Sequence, residues 1–188
     1  RLEGGVFTHY LMDAGGATVF PNAMAIAATG REQDAYEVGR ATGREAKAVG
    51  ILMNFAPVVD VNNNPANPVI NTRSFGEDAR RVAKLSAAFV KGSQDAGVIA
   101  TIKHFPGHGD TDVDSHVGLP LVSASLARLD SVELVPFEAG IDAARVWQEG
   151  IDATHKAIEA DRNDCAGYVG KAMLLALAAL GLAQFPAL

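Results

Sequence analysis

The sequence predicts an α/β fold with a parallel sheet. Three observations point there. Short apolar runs alternate with segments of helical periodicity, single glycines stop the helical segments, and long polar loops follow two of the apolar runs. In such folds the chemistry sits on loops after the C-terminal ends of strands.

Taken in order, Thr18 to Thr29 is apolar with small residues and is interrupted by Pro21-Asn22, so it reads as a strand or loop entering the next helix. Glu32 to Val49 carries apolar or small residues at helical spacing and stops at Gly50. Ile51 to Asp60 (ILMNFAPVVD) is a short apolar run, as a buried parallel strand requires. Val61 to Ser74, rich in Asn and Pro, is a loop. Glu77 to Ala96 reads as a helix with Val82, Leu85, Phe89 and Val90 in its core stripe and Gly97 as its stop. Val98 to Lys103 is the next strand, a Gly- and Asp-rich loop runs to about His116, and Ser125 to Ala144 is helical. Met12, Met24 and Met53 are expected as core fillers. From Arg145 the rhythm changes: 147–160 and 166–183 read as two helices joined by a polar turn, so the chain divides into residues 1–144 and a helical tail, 145–188.

Composition narrows the function classes. The 188 residues are 48% hydrophobic, enough for a sizeable core, and the net charge of −6 argues against a nucleic-acid or anionic-membrane partner. Cys165 is the only cysteine, which excludes an internal disulfide and cysteine-based metal motifs and is compatible with a reducing, cytoplasmic compartment. The longest apolar run, about residues 172–183, is shorter than the roughly 20 residues of a membrane span and reads as a buried helix. The opening at Arg1 is read as a cut or processed end.

The chemistry concentrates in Lys103-His104-Phe105-Pro106-Gly107-His108-Gly109-Asp110-Thr111-Asp112-Val113-Asp114-Ser115-His116. Three readings of these residue types compete. Asp114 and His116 are two apart, so a carboxylate can fix the imidazole tautomer for acid/base work, with Lys103 and His104 donating to a polar substrate. Alternatively His104, His108, Asp110, Asp112, Asp114 and His116 ligate a metal. The Asp-x-Asp-x-Asp start resembles a calcium loop but fails at Ser115 and Leu121, where glycine and glutamate belong, and no His-Glu-x-x-His is present; the expectation is no metal. A phosphate loop fits worst, because Gly107-x-Gly109 lacks a third glycine and opens no helix.

KHFPGHGDTDVDSH resembles the catalytic loop of glycoside hydrolase family 3, in its bacterial, NagZ-type β-N-acetylglucosaminidase branch. The segments 55–61 (FAPVVDV), 70–78 (INTRSFGED) and Glu3-Gly4-Gly5 agree with it, and the resemblance covers residues 1 to about 144. It implies a partial (β/α)8, TIM-type barrel, since about 250 residues make a whole one. It implies His116 as general acid/base and Asp114 as its orienting partner, an unusual choice where most glycosidases use two carboxylates. It further implies Lys103, His104 and Arg73 on the sugar, and retaining removal of a terminal β-linked N-acetylglucosamine, as in peptidoglycan recycling, without a cofactor. Asp60 either joins them or ties down its loop; His108, Asp110 and Thr111 are expected to shape the loop.

Two departures qualify this. Arg1 stands where the family's turn before Glu3-Gly4-Gly5 has a sugar-binding aspartate, and no Ser/Thr-Asp stretch follows His116 to supply the nucleophile. The chain is therefore expected not to turn over substrate alone. An incomplete barrel would expose sheet edges, which the tail helices or a second subunit would cover. A non-catalytic carbohydrate-binding remnant is the second reading and a metal-dependent hydrolase the third.

Overall fold

In the computed structural model the described residues are 16–114, 118, 120–122 and 124–144. The helical tail predicted for 145–188, the Glu3-Gly4-Gly5 turn, Met12 and His116 lie outside them.

The best-formed elements are the two helices whose stops were legible. Helix α2, Glu32–Ala48, begins with Glu32 and Asp34 in its first turn and has Lys47 in its last, charges that complement the helix dipole. Its end is closed by two reverse hydrogen bonds, Gly50 N–H to the Lys47 carbonyl at 3.0 Å and Ile51 N–H to the Ala46 carbonyl at 2.9 Å, with Gly50 at φ +83°. Helix α3, Ala79–Asp95, closes identically: Gly97, at φ +82°, donates to Gln94 and Val98 donates to Ser93. Its start is capped by Asp78, whose carboxylate accepts the Arg81 N–H at 2.8 Å.

The two helices lie against one another through small residues. A Cβ on Gly39 would meet the Phe89 carbonyl, and one on Gly92 would meet the Tyr36 carbonyl, so the backbones approach at distances no larger side chain permits. Val82, Leu85 and Phe89 of α3 pack with Ala35 of α2, Ile26, Ala27, Ala56 and Phe75 into one buried cluster.

Each helix leads into a strand. Strands β1, Met53–Asn54, and β2, Ile99–Ala100, pair in parallel, with Met53 opposite Ile99 and Asn54 opposite Ala100. The regular ladder is shorter than the apolar runs 51–60 and 98–103 predict. It lapses around Pro57, which has no N–H to donate, and resumes as a single parallel bridge between Val58 and Lys103. Val59 N–H then donates to the Lys103 carbonyl at 2.8 Å. This β1–α3–β2 unit confirms the α/β class and the parallel pairing. The described residues form two strands and no barrel.

Other expectations are corrected. The segment 18–29 contains a short helix, α1 (Ala23–Ala28), because Asn22 presents its carbonyl to Ala25 and Ile26 and the alanine-rich run follows helix propensity. Met53 does not fill the core; with Leu52 and Phe55 it is exposed along β1. The helix expected over 125–144 is interrupted. A first turn, α4 (Leu126–Arg128), passes into a π-helical turn, Leu129–Glu133, and only then into α5 (Val135–Ala143). Phe137 and Gly140 of α5 face inward, and α5 packs against α3. Among the described residues no helix is long and apolar enough to cross a membrane.

Candidate active site

Because β1 and β2 run in parallel, their C-terminal ends deliver the loops after Asp60 and Lys103 to the same side, and Asp60 lies between them. Its side chain is fully buried, and a lone buried carboxylate would be costly. It is satisfied by the neighbouring loop. Oδ1 accepts the His108 N–H at 2.7 Å, both oxygens lie 3.2 Å from the His104 backbone nitrogen, and Oδ2 is 2.6 Å from His104 Nδ1. Asp60 therefore anchors the Lys103–His108 turn and has no exposed surface in this structure. Ser74 locks the other loop by donating from Oγ to the Asp60 carbonyl at 2.6 Å.

A second anchor is Asn67, buried in the loop after β1. Its Nδ2 donates to the carbonyls of His108 at 2.7 Å and Thr111 at 2.8 Å, while its Oδ1 accepts the N–H groups of Val69 and Ile70 at 2.9 and 2.7 Å. One side chain thus ties residues 67–70 to residues 108–111. Gly109 completes the join, since a Cβ there would fall on the Val61 carbonyl oxygen.

Lys103 is half-buried and bridges to Val58, and the Lys103–His104 peptide bond is cis. The His104 side chain is 31% exposed, so it is reachable from outside while its Nδ1 edge is held by Asp60. Arg73, in the 3-10 turn Asn71–Arg73, is half-buried and donates from Nη1 to the Val69 carbonyl at 3.1 Å. The charges of Asp114 and Arg73 act on the His108 ring in opposite senses, Asp114 raising and Arg73 lowering its proton affinity. Asp114 is half-buried, its carbonyl accepts the Gly118 N–H at 3.0 Å, and its partner in the expected dyad, His116, is outside the described residues.

His108 is buried, with Nδ1 against the Thr111 hydroxyl and its ring 6.0 Å from that of His104 in an edge-on contact. Burial pushes its proton affinity below the ordinary histidine value; the Asp60 charge opposes this and His104 reinforces it. Burial thus favours the neutral form of the His108 ring. Thr111 also donates to the His108 carbonyl at 3.0 Å, while the Asp110 carboxylate reaches outward to Arg128 at 3.5 Å. Among the described residues no group of three or more His, Cys, Asp or Glu is arranged to hold a metal ion.

Two contributors were not legible in the sequence. Asn67 sits in an Asn/Pro-rich loop where any asparagine reads as a turn residue. Glu133, from the π-helical turn, is buried behind the loop, where Asn63 Nδ2 and Arg128 Nη2 donate to its Oε1 at 3.3 and 3.1 Å. An acidic residue in a helical pattern gives no hint of that burial. An open groove between α2, α3 and α5, lined by Tyr36, Ala88, Lys91 and Ala139 among others, holds none of the candidate residues.

The chain belongs to glycoside hydrolase family 3: the family described as "Glycosyl hydrolase family 3 N terminal domain" matches residues 3–148. Beta-hexosaminidase A of Pseudoalteromonas piscicida is 50% identical over 131 residues, which cover 68% of this chain and 22% of that protein. The solved family 3 β-N-acetylglucosaminidase from Paenibacillus sp. is 54% identical with a TM-score of 0.66, over 68% of this chain and 24% of that one. Native NagZ from Neisseria gonorrhoeae is 35% identical with a TM-score of 0.62, over 68% and 39%. The chain spans well under half the length of each of these proteins.

Proposed function

We propose that this chain is the sugar-binding and acid/base portion of a retaining β-N-acetylglucosaminidase. In this reading Lys103, His104 and Arg73 hold the hydroxyls of a terminal N-acetylglucosamine. His116 is the general acid/base and Asp114 its orienting partner. Residues 1–144 are part of a (β/α)8 barrel and residues 145–188 a divergent helical tail. The nucleophilic carboxylate comes from outside these 188 residues, since no Ser/Thr-Asp stretch follows His116. The apolar surface at Leu52, Met53 and Phe55 is covered in the working enzyme by a second subunit.

The observation that carries the reading is the Lys103–His104 turn. It stands at the C-terminal end of β2, gripped from below by Asp60, with the His104 side chain partly exposed. Loops at strand ends are where barrel enzymes bind substrate, and a pocket of fixed donors suits a polyhydroxylated ligand. A His-Asp acid/base pair beside that turn would protonate the leaving oxygen and later activate water.

Titration calorimetry with N-acetylglucosamine tests this. Binding by the wild type that is lost in Lys103→Ala is expected. Unchanged affinity in Lys103→Ala would remove the pocket assignment. The second reading, a sugar-binding remnant, is favoured by the same titration together with an inactive chain even when the missing nucleophile segment is supplied.

A further inference from the structure

We propose that Asp60 is a positioning residue that holds His104 in its Nδ1–H tautomer, so that the site meets a sugar hydroxyl with a hydrogen-bond acceptor, Nε2, rather than with another donor. This rests on the proposed function only for the identity of the ligand.

The geometry leaves little choice of tautomer. A carboxylate can only accept, and an imidazole nitrogen 2.6 Å from a carboxylate oxygen is the one that carries the proton. The same carboxylate also takes the His104 backbone N–H, so main chain and ring are gripped at two points and the ring cannot turn without breaking the hold. Asp60 is fully buried, which keeps water from competing for its oxygens. With Nδ1 committed as donor, a neutral ring has only a lone pair on Nε2. Orientation of a histidine by a buried carboxylate is a recurring way of fixing which nitrogen does the work.

The consequence is selectivity for hydroxyl protons. The ammonium of Lys103 and the guanidinium of Arg73 are donors with no acceptor capacity. They can satisfy the lone pairs of sugar hydroxyls but not their protons. A hydroxyl whose proton stays unpaired in a closed site pays a desolvation cost. Nε2 of His104 takes that proton, so the site requires at least one hydroxyl that both accepts and donates. A group that only accepts is discriminated against at that position.

Two measurements test this. In the unliganded full chain, long-range proton–nitrogen NMR correlations of the His104 ring are expected to show Nδ1 protonated and Nε2 bare. A wild-type ring protonated at Nε2, alone or with Nδ1, overturns the proposal whether or not any sugar binds. The second uses Asp60→Asn and a set of 3-, 4- and 6-deoxyfluoro-N-acetylglucosamines, whose fluorine accepts weakly and donates nothing. In the wild type one of the three is expected to bind about tenfold more weakly than the parent sugar, the size of a single neutral hydrogen bond. In Asp60→Asn the amide faces Nδ1 as a donor and the proton moves to Nε2, so that penalty shrinks towards nothing while the parent sugar binds more weakly. A merely structural Asp60 would weaken all four sugars equally, and that result overturns the proposal. If Asp60→Asn does not fold, the wild-type tautomer decides alone. Absence of any sugar binding would count against the proposed function and leave the tautomer measurement standing.

Discussion

Replacing Asn67 by alanine is expected to destabilise the chain by loosening two loops at once. The side chain is buried and makes four short hydrogen bonds to backbone groups: two donated to the carbonyls of His108 and Thr111, two accepted from Val69 and Ile70. Ile70, Thr111 and His108 are themselves buried, so water cannot replace the lost partner without opening the loops. At about 1 kcal/mol for each bond, and allowing for partial relaxation, the loss comes to roughly 2–4 kcal/mol. For a chain of this size about 2–4 °C of melting temperature accompanies each kcal/mol, so a drop of roughly 5–15 °C is expected. Urea denaturation followed by circular dichroism measures the free energy directly. Asn67→Asp keeps the two acceptor bonds but sets a carboxylate oxygen against two carbonyls, and is expected to be no more stable than Asn67→Ala. A loss below about 1 kcal/mol in Asn67→Ala would show that the two loops hold together without this hub, and the reasoning would fail.

Other outcomes follow from the same geometry. Gly109→Ala drives a methyl group into the Val61 carbonyl and is expected to separate the two loops, read as lost sugar binding together with a lower melting temperature. Burial holds His108 below the ordinary histidine value of about 6.5, so well above that pH both native and unfolded rings are neutral and stability does not depend on it. As pH falls below 6.5 the unfolded chain takes up a proton that the native ring resists, and stability declines by up to about 1.4 kcal/mol per pH unit; His108→Gln is expected to flatten that part of the profile. The 188-residue chain is expected to hydrolyse an aryl β-N-acetylglucosaminide no faster than its His116→Ala variant. Turnover that His116→Ala abolishes would place a nucleophile within these residues.

The parts of the fold legible in the sequence are those governed by local rules. Helices α2 and α3 were announced by periodicity and by Gly50 and Gly97, and both glycines close their helices through positive-φ turns. Parallel pairing followed from strand–helix–strand order. What escaped was set by contacts distant in sequence. The strand length depends on where Pro57 interrupts the ladder, and the exposure of Met53 depends on what covers β1. The break of the 125–144 helix into a π-helical turn turns Glu133 inward against Asn63, a partner seventy residues earlier. The candidate site divides in the same way. Lys103, His104, Arg73 and the Asp114–His116 spacing were readable as motif chemistry. Asp60 stood open between two roles, and the bonds from His104 and His108 that decide its placement join positions 44 and 48 residues apart. Asn67 was invisible because nothing local distinguishes it from its neighbouring asparagines.

The most direct test of the account is a crystal structure of the chain soaked with N-acetylglucosamine. The sugar is expected at the C-terminal ends of β1 and β2, its hydroxyls on Lys103, His104 and Arg73, with Asp60 beneath His104 and out of contact with the ligand. A sugar held in the groove between α2, α3 and α5, or one bonded directly to Asp60 with His104 turned away, would contradict it.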